Sequence, residues 1–163
     1  MFNYEQNFQT YIHQNKINCE QLIFKKSCHS VEDAMKASGA KRDEFVKNIC
    51  LIDTNGNLIV GIIKGEDRLD IKKVVVSLNS INTLNVSNKL QLASPEKILE
   101  KTGYPCGGTP SFGYAAIFLI DSRVMEKDII YSGGGSESSL VRISSKELQK
   151  ANGGKIVNIK KSI

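Results

Sequence analysis

The chain has 163 residues, a length that suits one domain with a substantial core. Its composition, 40% hydrophobic and 24% charged, is ordinary for a folded protein and contains no low-complexity run. The net charge of +5 modestly favours a polyanionic partner, although evenly spread lysines also serve solubility.

The sequence carries no targeting or membrane signal. Residues 1–6 lack the layout of a signal peptide, and the longest apolar run, residues 114–120, is far below the ~20 residues that a membrane helix needs. The cysteines form no Cys-x-x-Cys pair and suit reduced thiols; they are Cys19, Cys28, Cys50 and Cys106. We therefore predict a cytoplasmic protein without membrane contact.

The first forty residues predict helix, strand and helix. Apolar side chains at helical spacing indicate an amphipathic opening helix; they are Tyr4, Phe8, Tyr11 and Ile12. Residues 21–26 suit a short strand. Ser30 is a suitable N-cap for a second helix, and Gly39 lies where that helix should end.

An Asn-Gly pair at residues 55–56 separates two apolar runs, residues 47–53 and 58–63. This pattern is the strongest short signal for a β-hairpin. Because both runs are apolar throughout rather than alternating, we expect both faces of their sheet to be covered.

Two more helices follow the hairpin. Asp70 can cap the first, and its inward residues should be Ile71, Val74, Val75 and Leu78. The second begins at Ser94 and Pro95 and stops near Gly103. The remaining predicted elements are strands at residues 115–120, 128–131, 140–143 and 155–159 and a short helix at residues 145–148. Strands and helices mix without a strict βαβ rhythm, so we predict an α+β fold with a mixed sheet in a single domain, residues 1–163.

Two glycine-rich segments stand out. Residues 103–113 hold four of the thirteen glycines and two of the three prolines. A loop this long and stiff is more often functional than a plain connection, the alternative being an ordered surface loop. Residues 132–136 form the second segment. Neither matches Gly-x-x-x-x-Gly-Lys-[Ser/Thr] or Gly-x-Gly-x-x-Gly, which disfavours nucleotide hydrolysis and dinucleotide binding.

Histidine chemistry is limited, because His13 and His29 are the only histidines. Cys28 and His29 are adjacent, and with no second pair at metal spacing we predict no metal site. Cys106 is a conceivable nucleophile, but a thiol needs a base, and nothing in the sequence brings His29 to it.

Lys47 stands at the start of a buried strand. Its ammonium either snorkels to water or faces a cleft, where it would be a suitable point charge for a phosphate or an ester carbonyl. The residue types leave both interpretations open.

Several blocks in order resemble the YbaK/ProX family of trans-acting aminoacyl-tRNA deacylases, the editing domains associated with prolyl-tRNA synthetase. The blocks are residues 29–34, 46–48, 64–73, 92–96, 103–113, 132–135 and 143–144. Each is weak by itself, but their order and spacing are specific, and they span residues 29–154. The first twenty-odd residues add only a helix and a strand of the expected kind.

The resemblance implies a mixed, barrel-like β-sheet surrounded by helices and hydrolysis in trans of the ester of a mischarged aminoacyl-tRNA. No cofactor is implied, and the partner would be the tRNA acceptor end, with an aminoacyl-tRNA synthetase as a second candidate. Lys47 matches the family's essential lysine. The residues that match substrate-binding positions are Asn48, Gly107, Gly108, Thr109, Pro110, Ser111, Ser132, Gly133, Gly134 and Gly135.

In this family-based hypothesis, backbone amides of the glycine segments bind the developing oxyanion, and the substrate's own ribose hydroxyl or side chain activates the water. Two departures from the family pattern bear on substrate choice. Ser111 stands where the family has proline, with Pro110 one place earlier. Glu137 and Ser139 occupy a region where some members carry His or Asp.

Three alternatives remain at this stage. The first is the editing hydrolase, with its acceptor-end contacts made by lysines; the candidates, from charge alone, are Lys72, Lys73, Lys155, Lys160 and Lys161. The second is a non-catalytic module of the same fold that binds tRNA or a synthetase. The third is a small-molecule esterase that works through Cys106.

Overall fold

The computed structural model describes residues 3–27, 30–81 and 86–162. The helices in these ranges are α1 (Tyr4–Gln14), α2 (Val31–Ser38), α3 (Ile71–Ser80), α4 (Pro95–Thr102) and α5 (Ser145–Asn152). The strands are β1 (Cys19–Ile23), β2 (Val46–Asp53), β3 (Leu58–Lys64), β4 (Leu90–Leu92), β5 (Ile117–Asp121), β6 (Ile129–Gly133), β7 (Ser139–Ser144) and β8 (Lys155–Val157). Two short 3₁₀ turns cover Arg42–Glu44 and Val124–Glu126.

The strands form two sheets. One has the order β4-β2-β3-β5-β8, antiparallel from β4 to β3 and parallel from β3 to β8; the other is antiparallel with the order β1-β7-β6. The sheets meet where Phe45, just before β2, bridges to Tyr131 of β6, with ring centroids 5.5 Å apart. The α+β class with a mixed sheet is confirmed, and within the described ranges the strands make two open sheets rather than one closed barrel.

The β2–β3 hairpin lies at the centre of the larger sheet, and all seven residues of β3 are buried. Val60 and Ile62 pack in a cluster with Phe8 of α1. Ile59 and Ile63 pack on the other face, in a cluster with side chains of α3. The expectation that both faces are covered is therefore correct. Each such aliphatic side chain contributes about 1.5–3 kcal/mol through burial, so the hairpin anchors the fold.

The side-chain caps from which the helix starts were predicted are present in the structure. Ser30, Asp70 and Ser94 each accept a backbone N–H from a residue two or three positions further on. The α4 helix ends at Gly103, as expected, in the left-handed conformation with φ of +84°.

The second glycine segment differs from its prediction. Ser132 and Gly133, expected in a loop, are the last two residues of β6 and pair with Val141 and Leu140 of β7. This pairing outweighs the low strand propensity of glycine, so the turn between β6 and β7 is shorter than predicted.

Other differences concern a single residue, the ends of elements and one short strand. Ile71 was expected to face inward but is 36% exposed, because it lies at the first position of α3, outside the stripe formed by Val74 and Leu78. β4 was not predicted, since three residues carry no periodic signal. Within residues 3–27, 30–81 and 86–162, no helix has the length and apolar composition needed to cross a bilayer.

The hairpin turn is held by a buried carboxylate. Asp53 accepts the backbone N–H groups of Asn55 at 2.9 Å, Asn57 at 2.7 Å and Ser87 at 2.9 Å. Burial by itself would raise the pKa of Asp53, but the hydrogen bonds from Asn57, Ser87 and Asn55 outweigh it and keep the pKa below the ordinary 3.8. The ionised carboxylate thus ties the turn to the segment before β4.

We expect Asp53→Asn to lower the free energy of unfolding by about 1–3 kcal/mol at pH 7, because buried amides lose a charged acceptor. A depressed folded-state pKa gives stabilisation that is present above about pH 4 and lost as the pH falls through the folded-state value. Urea denaturation at pH 7 and pH 3 should therefore show a smaller difference from wild type at pH 3. Asp128→Asn, at an exposed position, is the control, and an equal loss in both variants would contradict the assignment.

Candidate active site

A cavity of about 280 Å³ opens between α2, the start of β2, the loop of residues 103–113 and the end of β6. Six of the residues predicted for the site line it: Lys47, Asn48, Gly107, Thr109, Ser132 and Gly133. Five others predicted for the site are not among its lining residues: Gly108, Pro110, Ser111, Gly134 and Gly135.

The two glycine segments pack directly on each other and form one continuous side of the cavity, rather than facing each other across it. A side chain at Gly133 would overlap the Thr109 carbonyl oxygen, and one at Gly108 would come within 2.5 Å of the Ser136 backbone. The Gly135 N–H donates to the Gly108 carbonyl at 2.8 Å. Glycine is required at Gly108 and Gly133 because the backbones approach too closely for a Cβ atom.

The N-terminal helix supports this wall from outside, a role that the sequence did not suggest. Ser136 Oγ donates to a carboxylate oxygen of Glu5 at 2.7 Å. Gln21 Nε2 donates both to the Glu5 carbonyl at 2.9 Å and to the Gly134 carbonyl at 3.0 Å. Helix α1 and strand β1 therefore fix the turn that carries the second glycine segment.

Asn48, which also lines the cavity, joins the two segments through its side-chain amide. Its Nδ2 donates to the Thr109 carbonyl at 2.9 Å and contacts Ser132 Oγ at 3.4 Å. Ser111 Oγ donates to Asn48 Oδ1 at 2.7 Å and lies 2.6 Å from Ser132 Oγ. Ser111 is 0% exposed, so this residue, predicted at a substrate-binding position, lies one layer deeper and contacts cavity-lining residues instead.

Most of the backbone amides proposed for an oxyanion are already bonded. The N–H groups of Gly108 and Gly134 donate to the Pro105 carbonyl at 3.0 Å and the Ser139 carbonyl at 3.2 Å, and that of Gly135 donates to the Gly108 carbonyl of the other segment at 2.8 Å. The Gly107 N–H has no acceptor in the described part of the chain, and Gly107 is an exposed residue that lines the cavity. Gly107 is therefore the best placed of the predicted amides to bind a ligand.

Lys47 contributes a cation to the cavity. Partial burial lowers the pKa of Lys47 from its ordinary 10.5, while Asp67 acts to raise it and Arg68 to lower it. Asp67 is itself held by Arg123, with 2.6 Å between Nη1 and Oδ1. No ion pair or hydrogen bond to the Lys47 ammonium is found within the described residues, so this charge is available to a ligand.

The opposite part of the lining is apolar, and sequence reasoning missed it. Its members come from α2, the start of β2, α4 and β7: Val31, Ala34, Phe45, Ile98 and Leu140. Residues 29–34 form one of the blocks that resemble the family, but no local feature of the sequence indicated that side chains of this block line the cavity. The cavity thus combines a cation, an oxygen-rich wall and an apolar surface.

The thiols differ in their surroundings. Burial raises the pKa of Cys50 to about 12, with a smaller contribution from Cys106, so Cys50 is a neutral thiol. Cys106 is exposed and lines the cavity. His29, the base considered for it, and Cys28 lie outside the described residues, and His13 lines a different cavity beside α1. Among residues 3–27, 30–81 and 86–162, no cluster of three His, Cys, Asp or Glu suited to a metal ion is present.

Comparison with known proteins identifies the family. Residues 25–151 match the family model of the aminoacyl-tRNA editing domain, a range that includes Lys47 and both glycine segments. The chain belongs to the aminoacyl-tRNA editing domain family. The resemblance read from the sequence is confirmed.

Individual proteins and solved structures are similar to this editing domain. An uncharacterized protein of Bacillus subtilis (strain 168), YwhH, is 26% identical over 130 residues, covering 78% of this chain and 77% of its own length. A crystal structure of a protein proposed to be a trans-editing enzyme for prolyl tRNA synthetase has a TM-score of 0.84 at 21% identity, covering 99% of both chains. The hypothetical protein APE2540 gives a TM-score of 0.80 at 25% identity, covering 95% of this chain and 99% of its own.

We expect Gly133→Ala to lower the free energy of unfolding by about 1–3 kcal/mol, because its Cβ overlaps the Thr109 carbonyl and forces the two segments apart. Gly65→Ala is the matched control, since Gly65 also lines the cavity but its added Cβ would meet Phe45 at an ordinary 3.5 Å. Thermal and urea denaturation of both variants measure the difference. Equal stability of the two would contradict the close approach.

Proposed function

We propose that this editing-domain protein is an aminoacyl-tRNA deacylase that cleaves, in trans, the ester between a mischarged amino acid and the 3′-end of a tRNA. The observation that carries the proposal is Lys47, whose ammonium has no partner in the described part of the chain and lines the same cavity as the unbonded Gly107 amide. Both groups stabilise negative charge on oxygen.

Hydrolysis of an aminoacyl ester requires few catalytic groups from the protein. An aminoacyl ester is already activated, so stabilising the oxyanion formed when water attacks the carbonyl carbon lowers the barrier substantially. Lys47 and the Gly107 N–H would share that oxygen, or Lys47 would hold the terminal phosphate. The ribose hydroxyl next to the ester would accept a proton from the attacking water and pass its own proton to the leaving ribose oxygen. The products are the free amino acid and the deacylated tRNA 3′-end, and a histidine base is unnecessary.

The dimensions of the cavity support an aminoacyl group rather than a larger ligand. A volume of about 280 Å³ accommodates one amino-acid residue with the terminal ribose at the mouth. The rest of the tRNA would remain outside, where lysines provide attraction that weakens with salt. Lys73 is a poor candidate among them, because its Nζ already donates to the Lys160 carbonyl at 2.8 Å and to Ser162 Oγ at 3.0 Å.

Lys47→Ala should lower the deacylation rate by about 10²–10³-fold, the usual cost of removing an oxyanion donor, without unfolding the protein. A panel of mischarged tRNAs with radiolabelled amino acids gives the rate for each substrate. Lys146→Ala, an exposed lysine of α5, and Cys106→Ser serve as controls and should keep the wild-type rate.

Four results would contradict parts of this proposal. Wild-type activity in Lys47→Ala, or no deacylation of any substrate in the panel, would exclude the deacylase with Lys47 at its centre. Tight tRNA binding without turnover would instead support a binding module of the same fold. Loss of activity in Cys106→Ser would support an esterase that works through that thiol.

Deacylation activity should also decline with rising pH, and it should do so at a lower pH than if Lys47 had the ordinary lysine pKa of 10.5. Burial lowers the pKa of Lys47 below 10.5, so its positive charge is lost as the pH rises through that lowered value. Rates corrected for spontaneous ester hydrolysis, measured from pH 6 to pH 10, test this. Lys47→Arg should be slower but free of the alkaline decline, because guanidinium stays protonated throughout. An identical decline in Lys47→Arg would assign the titration to another group.

A further inference from the structure

The cavity is lined by two thiols that the proposed hydrolysis does not use. Cys50 comes from β2 and Cys106 from the loop of residues 103–113, and both residues line the same cavity. Cys106 is exposed, whereas only 4% of Cys50 is exposed. A reagent in solution can therefore reach one sulfur directly, while the protein shields the other.

Strand β2 directs Cys50 toward the loop that carries Cys106. Residues two positions apart in a strand point to the same face of the sheet, so Cys50 shares its face with Asn48. The Asn48 amide contacts this loop at the Thr109 carbonyl, 2.9 Å away. Cys50 itself packs in the same apolar cluster as Tyr104, which lies two positions before Cys106. The buried thiol and the exposed thiol thus belong to two segments in direct contact.

A tight turn holds Cys106 at this place. The Pro105 carbonyl accepts the Gly108 N–H and the Thr109 hydroxyl, each at 3.0 Å, and so closes the chain around Cys106. Burial is the main reason why the pKa of Cys50 is raised to about 12, and the neighbouring Cys106 adds to it. One thiol influences another in this way only at short range. The electrostatics therefore agree with the placement by strand and turn.

We propose that Cys50 and Cys106 are a redox-active pair, which a hydroperoxide converts into a disulfide that blocks the cavity. The pairing rests on the positions of the two thiols alone, whereas its effect on deacylation rests on the proposed function. Cys19 is a poor partner for either thiol, because it lines a different cavity beside α1. The pair would make activity depend on the oxidation state of the surroundings.

The reaction has two steps, and the different exposure of the thiols sets their order. The Cys106 thiolate attacks one oxygen of hydrogen peroxide: an S–O bond forms, the O–O bond breaks, and the released hydroxide leaves as water with the proton that the thiol lost. Cys50 then attacks the sulfenic sulfur, so that the S–S bond forms, the S–O bond breaks and the hydroxyl leaves as water with the Cys50 proton. The peroxide accepts the two electrons that the thiols lose, and a reducing thiol reverses the change by exchange.

Disulfide formation would displace the part of the loop that serves the substrate. Both thiols are free in the structure, and a disulfide requires their sulfur atoms to approach to roughly 2.05 Å. Cys106 would therefore move toward β2. Its carbonyl carbon is bonded to the Gly107 nitrogen, so the Gly107 N–H would move with it and leave the position in which it binds the oxyanion.

Mass spectrometry of the full chain tests the pair without reference to activity. The protein is treated with hydrogen peroxide, denatured, alkylated with iodoacetamide and digested. We expect a peptide that links Cys50 to Cys106, lighter than its two reduced parts by two hydrogen atoms and absent after treatment with dithiothreitol. Cys19, and Cys28 outside the described residues, should be alkylated. A link from Cys106 to either of these, or no link at all, would overturn the proposal.

Single variants test the order of the two steps. Cys50→Ala should leave Cys106 as a sulfenic acid, which dimedone traps, whereas Cys106→Ser should leave Cys50 reduced. Cys19→Ser is the matched control and should form the disulfide like the wild-type chain. Because Cys106 is exposed, Cys106→Ser keeps the fold and decides the outcome even if thermal denaturation shows that Cys50→Ala does not fold. Dimedone trapped on Cys50 in Cys106→Ser would contradict the order.

Deacylation assays on the same samples measure the consequence. Displacing a catalytic group by about 1 Å can cost about 10²-fold in rate, so the oxidised wild-type protein should be slower than the reduced protein by about tenfold or more. Dithiothreitol should restore the rate, and the rate of Cys106→Ser should be the same before and after peroxide. Full activity of a protein that carries the disulfide would overturn the blocking of the cavity. Absence of deacylation by the reduced protein, with the disulfide still formed on oxidation, would overturn the proposed function and leave the redox pair standing.

Discussion

The contact between the two glycine segments is the constraint on which the site depends. Gly133 lies against the Thr109 carbonyl and Gly108 lies against the Ser136 backbone, both too close for any side chain. Because the backbones touch, one side-chain amide, that of Asn48, can reach both segments from β2. The cavity wall consequently consists of two backbone segments in direct contact, which the side chains of Asn48, Gln21 and Glu5 hold in place.

A second constraint keeps the lysine charge available. Two acidic residues follow β3 closely, and either could have paired with Lys47. Instead Arg123 binds Asp67 at 2.6 Å and Glu66 at 3.0 Å, and Glu66 also contacts the buried Lys64 at 3.5 Å. These ion pairs hold both carboxylates toward Arg123, and neither makes an ion pair with Lys47.

The sequence alone was sufficient to predict the structural features that are determined by neighbouring residues. The hairpin at Asn55-Gly56, the caps at Ser30 and Asp70 and the helix end at Gly103 all follow from residues within a few positions of one another. The family pattern brought Lys47 and Gly107 into the predicted site, and both line the cavity.

What the sequence did not reveal depends on contacts between distant residues. Ser111 was predicted at a substrate-binding position, but it is buried and donates to Asn48, 63 positions away. Ser132 and Gly133 were assigned to a loop because glycine opposes strand formation, whereas pairing with β7 keeps them in β6. The support that Glu5 gives to Ser136 had no local signal, because α1 is 131 positions from the segment it stabilises.

The same distances bear on how the protein folds. The hydrogen bonds that tie β2 and α1 to the cavity wall join residues between 61 and 131 positions apart. Local elements such as the β2–β3 hairpin can form early, but each long-range bond requires closing a large chain loop whose entropic cost must be met first. A partly folded chain would therefore contain native hairpins and helices but no cavity. Recovery of ligand binding during refolding would mark the completion of the native topology rather than its beginning.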